Sequence, residues 1–119
     1  MAQLFKRIDT VFFPVRNLEA AVSWYTETLG LSLRWKVEGY ACLNLAETPL
    51  TLVERGDAFT PVTHATFNFY AADIDGVYNH LKAAGVVVDP AIADPPGVRY
   101  FGFQDPDGNR LEVCWWPEK

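Results

Sequence analysis

The chain has no long apolar run, no cluster of basic residues and only two cysteines. Each of these features excludes a class of protein or a kind of site. A membrane-spanning helix requires about 18 apolar residues in succession, which occur nowhere in the sequence. Nucleic-acid binding requires a basic face, but Lys and Arg occur in runs of at most two residues. Two cysteines alone cannot make a structural zinc site. We therefore expect neither a membrane partner nor a nucleic-acid partner.

A targeting signal is also lacking at the start of the sequence. Residues 1–6 (MAQLFK) contain neither the apolar stretch nor the cleavage site of a secretory signal peptide. We therefore expect a cytoplasmic protein, in which Cys42 and Cys114 are reduced and behave as small, buried apolar residues. The formal net charge of −5 serves solubility and also suits a cationic small molecule.

Aromatic residues, in contrast, are abundant, since the 119 residues include eight Phe, five Tyr and four Trp. A core of this size does not need so many large rings, so we expect some of them to line a cavity or a subunit interface. The alternative, in which all of them belong to the core, remains open.

The first half of the chain predicts a strand, a helix and three further strands. Residues 8–15 (IDTVFFPV) have the apolar pattern of a strand, and Asn17 follows as a helix N-cap. Apolar residues then recur at helical spacing as far as Gly30, which closes the helix at the C′ position. The three strands that follow are predicted at 31–37, 40–45 and 50–54.

The second half repeats this order. Residues 64–71 (HATFNFYA) predict a strand, Asp73 is the second N-cap and Gly85 is the second C′ residue. Further strands are predicted at 86–89, 98–103 and 110–116, and residues 105–108 (DPDG) suit a type I turn between the last two. Because each cap and each glycine recurs at nearly the same separation, the chain contains an internal duplication.

This duplication predicts an α+β fold of two tandem βαβββ modules. We expect one domain over residues 1–119, with module 1 at about 7–54, a linker at about 55–63 and module 2 at about 64–117. Each sheet would carry its helix on one face. The two modules together would form a curved mixed sheet with an open concave cavity, which suits a small ligand.

Three segments match a known family. Residues 11–25 (VFFPVRNLEAAVSWY) resemble the opening of its module, 73–86 the helix of its second module, and 105–113 (DPDGNRLEV) its closing signature. The family is that of the vicinal oxygen chelate proteins, or glyoxalase/bleomycin resistance proteins. The resemblance implies the fold described above and a homodimer. The family contains glyoxalase I and extradiol dioxygenases, but also drug-binding resistance proteins, so the fold does not decide between catalysis and binding.

The resemblance implies one metal ligand on the first strand and one on the last strand of each module. The first-strand positions of this chain hold Thr10 and Thr66, and the last-strand positions align with Thr51 and Glu112. Since threonine is a poor ligand for transition metals, we expect no metal and no other cofactor.

An alternative ligand set remains open. A slipped strand would bring His64 toward the site, and a shift of one residue would turn Glu54 to the same face. Together with Glu112, these side chains would hold a divalent ion such as Ni, Zn, Mn or Fe. The chain would then be a metal-dependent lyase, isomerase or dioxygenase. A third possibility is a non-catalytic regulatory or partner module.

Strand alternation predicts which side chains line the cavity. These candidate ligand-binding residues are Thr10, Phe12, Thr51, Thr66, Asn68, Tyr70, Glu112, Cys114 and Trp116. The set combines hydroxyls, an amide, aromatic rings and one carboxylate, which is typical of a ligand pocket. The faces of Trp35, Tyr40, Arg99 and Phe101 stay unassigned, because the register of their strands cannot be derived.

Glu112 lies in an apolar strand, where a carboxylate requires a cationic partner. Arg34, Arg99 or a cationic ligand would supply that charge. The sequence contains no nucleophile motif and no phosphate-binding glycine loop, so no catalytic residue is assigned. We therefore predict a small-molecule-binding protein that lacks the usual catalytic metal site and binds an aromatic or cationic compound. Whether the protein is an enzyme stays open.

Overall fold

A computed structural model describes residues 2–117, and the chain divides into two compact units whose boundary lies between Thr60 and Pro61. That boundary falls within the predicted linker. Each unit packs one α-helix against one sheet, so the fold is α+β and has two modules, as the sequence predicts. No helix among the described residues has the length and apolar character needed to cross a membrane.

Unit 1 contains all five elements that the sequence predicts. They are β1 (Val11–Val15), α1 (Leu18–Glu27), β2 (Ser32–Val37), β3 (Tyr40–Asn44) and β4 (Leu50–Glu54). The sheet order is β1-β4-β3-β2, in which β1 runs parallel to β4 and the other neighbours are antiparallel. A single 3₁₀ turn (Gly56–Ala58) follows the last strand.

Unit 2 has one helix and a three-stranded sheet. Its elements are β5 (Phe69–Tyr70), α2 (Ile74–Ala83), β6 (Arg99–Gln104) and β7 (Arg110–Trp115). The sheet order is β5-β7-β6, with β5 parallel and β6 antiparallel to β7.

The prediction of a strand at 86–89 is wrong in part, because this segment forms only an isolated bridge between Val88 and Phe103. The Asp89 amide donates to the carbonyl of Gly102 at 2.9 Å, and a second bridge joins Ala93 to Tyr100. Prolines at positions 90, 95 and 96 lack an amide donor, which prevents a continuous ladder along β6.

The strand predicted at 64–71 is also shorter than expected. The Arg110 amide donates to Val62 at 2.7 Å, whereas Phe69 pairs with Val113. Residues 63–68 must therefore span a distance that β7 covers with only Leu111 and Glu112. So many extra residues cannot stay in register with the partner strand, and only Phe69–Tyr70 remain in the sheet.

Both predicted helix caps are confirmed. The Asn17 side chain accepts a hydrogen bond from the Ala20 amide at 2.9 Å, and Asp73 accepts one from the Gly76 amide at 3.0 Å. Each bond satisfies an amide that has no partner within the helix.

The two helix ends differ slightly. Gly85 directly follows the C-cap residue Ala84 and has a φ of +79°, as expected for a C′ glycine. Gly30, with a φ of +74°, lies one residue further from its C-cap residue, Thr28. The α1 helix therefore ends one residue earlier than predicted.

The turn at 105–108 is held by two buried polar side chains. The Gly108 amide donates to the Asp105 carbonyl at 3.0 Å, and the Asn109 amide donates to the Asp105 carboxylate at 3.0 Å. Asn109 is fully buried, and its side-chain oxygen accepts a hydrogen bond from the Val62 amide at 2.8 Å. The turn thus also fixes the beginning of unit 2.

Each sheet buries the face that contacts its helix. In unit 1 the buried residues include Phe13, Val15, Leu18, Tyr25, Leu43, Leu50 and Leu52. In unit 2 they include Ile74, Leu81, Phe101, Phe103, Leu111 and Val113. Each fully buried side chain of this kind contributes about 1.5–3 kcal/mol to the free energy of folding. The predicted alternation of β1 is confirmed, and that of β7 holds from Arg110 to Val113, whereas the next residue, Cys114, is buried as well. Phe101 is assigned to the core.

Candidate functional site

The open face of each sheet is defined here as the face that points away from the helix. In unit 1, strand pairing arranges the open-face side chains in rows. One row contains Phe12, Thr51, Cys42 and Trp35, and the next contains Pro14, Val53, Tyr40 and Val37. The pairing therefore places Trp35 and Tyr40, which the sequence leaves unassigned, on the open face.

The open face of unit 1 combines exposed apolar groups with a buried polar one. Phe12 is 64% exposed, and Trp35, Val37 and Tyr40 are also exposed. Thr51, in contrast, is only 1% exposed. This distribution resembles the wall and floor of a ligand pocket, with apolar side chains around a few polar groups.

Thr10 and Thr51 are joined by a hydrogen bond between their hydroxyl oxygens, which lie 2.7 Å apart. The Thr10 hydroxyl also lies 2.9 Å from the carbonyl oxygen of Pro49, to which it donates. Because a hydroxyl carries a single proton, Thr51 must then be the donor to Thr10. Both positions that the family resemblance assigns to metal ligands in module 1 are thus held by hydroxyls that bond to each other.

The donor set does not fit a divalent transition metal. Thr10, Thr51 and Thr66 supply only neutral hydroxyls, and Glu112 is the single ordinary ligand among the four aligned positions. Within residues 2–117, no group of three or more His, Cys, Asp or Glu side chains is close enough together to hold a metal ion.

The shift that would turn Glu54 to the open face does not occur. Glu54 pairs with Val15, whose side chain is fully buried beside the helix. The Glu54 carboxylate accepts a hydrogen bond from the Leu18 amide at 2.8 Å and so caps the first turn of α1. His64 is exposed and lies in the irregular segment before β5.

In unit 2, Tyr70, Cys114 and Tyr100 form one row across the open face, on three neighbouring strands. Glu112 and Gly102 form the next row. Tyr100 was missed by the sequence reasoning, because the register of β6 was unknown.

The other predicted residues of this face lie outside the strands. Thr66 and Asn68 are exposed and precede β5 rather than belonging to it. Trp116 follows the end of β7, and its carbonyl accepts a hydrogen bond from the Tyr70 hydroxyl at 3.1 Å. The rings of Tyr70 and Trp116 meet edge to face, with centroids 6.1 Å apart.

Cys114 is buried between the two tyrosines. Burial raises the pKa of the Cys114 thiol, and the negative charge of Glu112 raises it further. The thiol therefore stays protonated at neutral pH and is a poor nucleophile. Cys114 thus supplies a small, uncharged floor between two larger side chains.

Glu112 is half-buried, and the two arginines expected as its partners bind elsewhere. Arg34 donates to the side chain of Asn44 at 2.7 Å. Arg99 makes two hydrogen bonds to Asp75, at 2.9 and 3.0 Å. Among the described residues, none donates a hydrogen bond to Glu112, but Arg110 attracts its negative charge, which adds to the larger effect of Asp89 in raising the pKa of Arg110.

A third arginine, Arg110, lies on the same face as Glu112 but is bound to Asp89. Its two terminal nitrogens each contact one Asp89 oxygen at 3.0 Å. Asp89 also accepts a hydrogen bond from the Gly102 amide at 2.7 Å. These bonds to Arg110, the largest cause, and to Gly102 lower the pKa of Asp89.

Gly102 makes this arrangement possible. A Cβ atom at this position would collide with the Arg110 guanidinium. A glycine inside a strand often marks such a close approach, so the segment 99–104 (RYFGFQ) carried a signal for it. The sequence could not indicate which side chain approaches.

A profile of the Glyoxalase/Bleomycin resistance protein/Dioxygenase superfamily matches residues 7–113 of the chain. The chain belongs to this superfamily. It is similar to a superfamily member from Sphaerobacter thermophilus, with 22% identity over 95% of this chain and 99% of that one, and a TM-score of 0.84.

Two further solved structures carry more specific descriptions. The antibiotic binding protein TnmS3 from Streptomyces is 25% identical, covers 98% of this chain and 100% of its own, and has a TM-score of 0.84. Lactoylglutathione lyase from Agrobacterium tumefaciens is also 25% identical, with 92% of both chains covered and a TM-score of 0.75. The relatives thus include both a binding protein and an enzyme.

Proposed function

We propose that the chain is a small-molecule-binding protein of this superfamily that works without the usual catalytic metal site. Its ligand is an aromatic or cationic compound that lies against an open sheet face. The hydrogen bond between Thr10 and Thr51 carries this proposal, because it joins two side chains at positions where the superfamily's metal enzymes hold their ion. Similarity to an antibiotic binding protein adds support.

The chemistry of the open faces also favours binding over catalysis. Exposed rings such as Phe12 and Trp35 offer area for stacking. The Cys114 thiol is protonated, and no described residue activates it as a base would. Such a surface retains an aromatic compound without reacting with it.

A thermal-shift screen of small aromatic compounds tests the proposal. The library contains cationic, neutral and anionic members, and each is measured with and without EDTA. We expect a subset to raise the melting temperature by several degrees in both conditions, since a ligand of the folded state stabilises it. Stabilisation that requires an added metal ion would contradict the proposal, as would a library without any stabilising compound.

We further propose that the protein is a cytoplasmic homodimer. Phe12, Trp35, Val37 and Tyr40 are exposed on one face, and a second subunit that covers part of this face would complete the ligand site. Both cysteines are free and buried, as suits a reducing compartment. Sedimentation velocity should give the mass of two chains, and a Trp35→Glu variant should give the mass of one. A monomeric parent protein would contradict the dimer.

A further inference from the structure

Residues 2–9, the arm, precede β1 and are exposed throughout. The three large apolar side chains of the arm, Leu4, Phe5 and Ile8, are exposed to 77%, 79% and 71%. Both hydrogen bonds that the arm's side chains donate end within the arm itself. Because apolar surface gains free energy when it is removed from water, such a segment favours a partner that covers it.

The described part of unit 1 offers no strand with which the arm could pair. The parallel pairing of β1 with β4 begins at Val11 and Leu50, and residues 45–49 lie outside the strands, in a bend. The arm is also poorly suited to turn back onto its own chain, because residues 2–8 contain no Gly, Pro, Asn, Asp or Ser, which dominate tight turns. A partner for the arm must therefore come from a second chain.

The strand that the arm leads into is an edge strand, since the sheet order is β1-β4-β3-β2. The N–H and C=O groups of a strand residue point to the same side, and the Val11 amide points to β4, where it donates to Pro49 at 3.0 Å. Phe12 and every second residue before it therefore direct their backbone groups to the outer edge. Pro14 follows the same alternation, and a proline is tolerated at such an outward position of an edge strand.

Charge selects one register for the antiparallel pairing of two copies along this edge. Residues with outward backbone groups must face each other, so the two-fold axis passes through a residue. An axis through Lys6, Arg7 or Asp9 would set that residue against its own copy, which places like charges directly opposite each other. An axis through Ile8 instead sets Arg7 of each copy against Asp9 of the other.

The same register sets apolar side chains against apolar ones. Ile8 faces its own copy, Phe5 faces Val11 of the other copy, and Leu4 faces Phe12. Side chains directly opposite each other on antiparallel strands have Cβ atoms about 4.5–5.5 Å apart, so each exposed apolar residue of the arm gains an apolar neighbour. Because Phe12 lies on the open face of unit 1, Leu4 of the second copy would become part of that face.

We propose that two copies of the chain pair through their arms, as antiparallel strands whose two-fold axis passes through Ile8. Residues 4–12 of the two copies lie side by side, and the pairing joins the β1 edges of two sheets. This inference rests on the proposed homodimer. It adds the segment and the register through which the copies bind, and a residue, Leu4, that each copy contributes to the ligand-binding face of the other.

A cysteine placed at the axis tests the register. In an Ile8→Cys variant, the Cα atoms of the two introduced cysteines would be about 5.5 Å apart, which a disulfide spans. In the matched control, Leu4→Cys, they would be about 26 Å apart, because each lies four residues from the axis in opposite directions. Cys42 and Cys114 are buried in the parent protein, which serves as the blank.

Each cysteine variant is oxidised with copper phenanthroline and analysed by electrophoresis without reductant. We expect most of the Ile8→Cys chains to migrate as a covalent dimer, and at least about tenfold less dimer in Leu4→Cys, whose cysteines the register keeps apart. Equal yields from the two variants, or no covalent dimer in Ile8→Cys, would overturn the inference.

Reversal of the charges tests the same register without a cysteine. Arg7→Asp would set two carboxylates opposite each other, and Asp9→Arg would set two guanidinium groups opposite each other. Sedimentation equilibrium should give a dimer dissociation constant at least about tenfold higher for either variant. The double variant Arg7→Asp/Asp9→Arg restores opposite charges, so its dissociation constant should return to within about threefold of the parent's. A double variant that dimerises as weakly as the single ones would contradict this register.

A carboxylate at the axis separates this inference from the proposed homodimer. Ile8→Glu should be monomeric at concentrations at which the parent is dimeric, whereas Val87→Glu, at an exposed valine of unit 2, should stay dimeric. Thermal melting curves show that each variant is folded. A dimer that Trp35→Glu dissociates and Ile8→Glu leaves intact would overturn the inference alone, and a monomeric parent protein would overturn both.

Discussion

The side-chain oxygens of Thr10, which directly precedes β1, and of Thr51 on the neighbouring strand β4 lie 2.7 Å apart. The two hydroxyls and the Pro49 carbonyl form a short chain of hydrogen bonds, in which each proton has an acceptor. Metal-binding members of the superfamily would have ligands at these positions. In this protein the same positions stabilise the sheet instead.

A Thr51→Val variant tests this stabilising role. Valine has nearly the same shape, but it removes the donor to Thr10 in a site that is 1% exposed. We expect the free energy of unfolding to fall by about 1 kcal/mol, the usual contribution of a hydrogen bond. Urea denaturation measures the change, with the exposed Thr60→Val as control. Equal stability of Thr51→Val and the parent would contradict a stabilising role of the bond.

A Gly102→Ala substitution should destabilise unit 2 by about 1–3 kcal/mol, because the added methyl group displaces the Arg110 guanidinium. The double variant Gly102→Ala/Arg110→Ala removes the group that the methyl meets. In the Arg110→Ala background, the Gly102→Ala substitution should therefore lower the free energy of unfolding by much less. If the two substitutions lower the free energy of unfolding additively, the close approach of Arg110 to Gly102 has no energetic consequence.

The ion pair of Asp89 with Arg110 should make stability depend on acid pH. Since Arg110 lowers the pKa of Asp89 in the folded state, the unfolded chain binds this proton more readily. The stabilisation is therefore complete above the ordinary pKa of about 3.9, and it is lost as the pH falls through the lower folded-state pKa.

An Asp89→Asn variant lacks this contribution. We expect it to be about 1–2 kcal/mol less stable than the parent at pH 6, with the difference shrinking below about pH 4. Urea denaturation at several pH values measures both curves, and Asp57→Asn, at an exposed site, is the control. A difference that stays constant from pH 6 to pH 2 would be inconsistent with the ion pair.

Substitution of Asn109 should lower the stability of the protein more than substitution of most other residues of unit 2. Its buried side chain accepts from Val62 and donates to the Asp105 carboxylate at 2.9 Å. Asn109→Ala leaves the Val62 amide without this acceptor and removes one of the donors to the Asp105 carboxylate, so we expect the free energy of unfolding to fall by about 2–3 kcal/mol. Hydrogen exchange should show faster exchange of the Val62 amide in particular. Unchanged protection of that amide would contradict the role assigned to Asn109.

Local signals predicted much of the fold. The caps Asn17 and Asp73 and the glycines near the helix ends each act within a few residues, so their effects can be read from short segments. Alternation in β1 likewise separated the buried Phe13 from the exposed Phe12. The βαβββ pattern was predicted for module 2 as well, but the strand at 86–89 is reduced to an isolated bridge, because prolines interrupt the segment along β6.

Contacts between distant residues could not be predicted. Arg110 reaches Asp89 only because the segment at 86–89 lies beside β6, and neither the bridge nor the register can be read locally. The sheet face on which Trp35 and Tyr40 lie could not be predicted for a related reason, since the pairing of β2 with β3 shifts between Leu33 and Trp35. An irregularity of this kind reverses the face of every residue beyond it.

The metal content of the purified chain tests the proposed function most directly. The protein is prepared without an affinity tag from cells grown with added nickel, manganese, iron and zinc, beside a Glu112→Ala variant. Mass spectrometry of the elements then gives the ions bound per chain. If Thr10 and Thr51 have replaced the metal ligands, both proteins should contain far less than one ion per chain. Close to one ion per chain in the parent, lost in Glu112→Ala, would contradict a metal-free binding protein and identify Glu112 as a ligand.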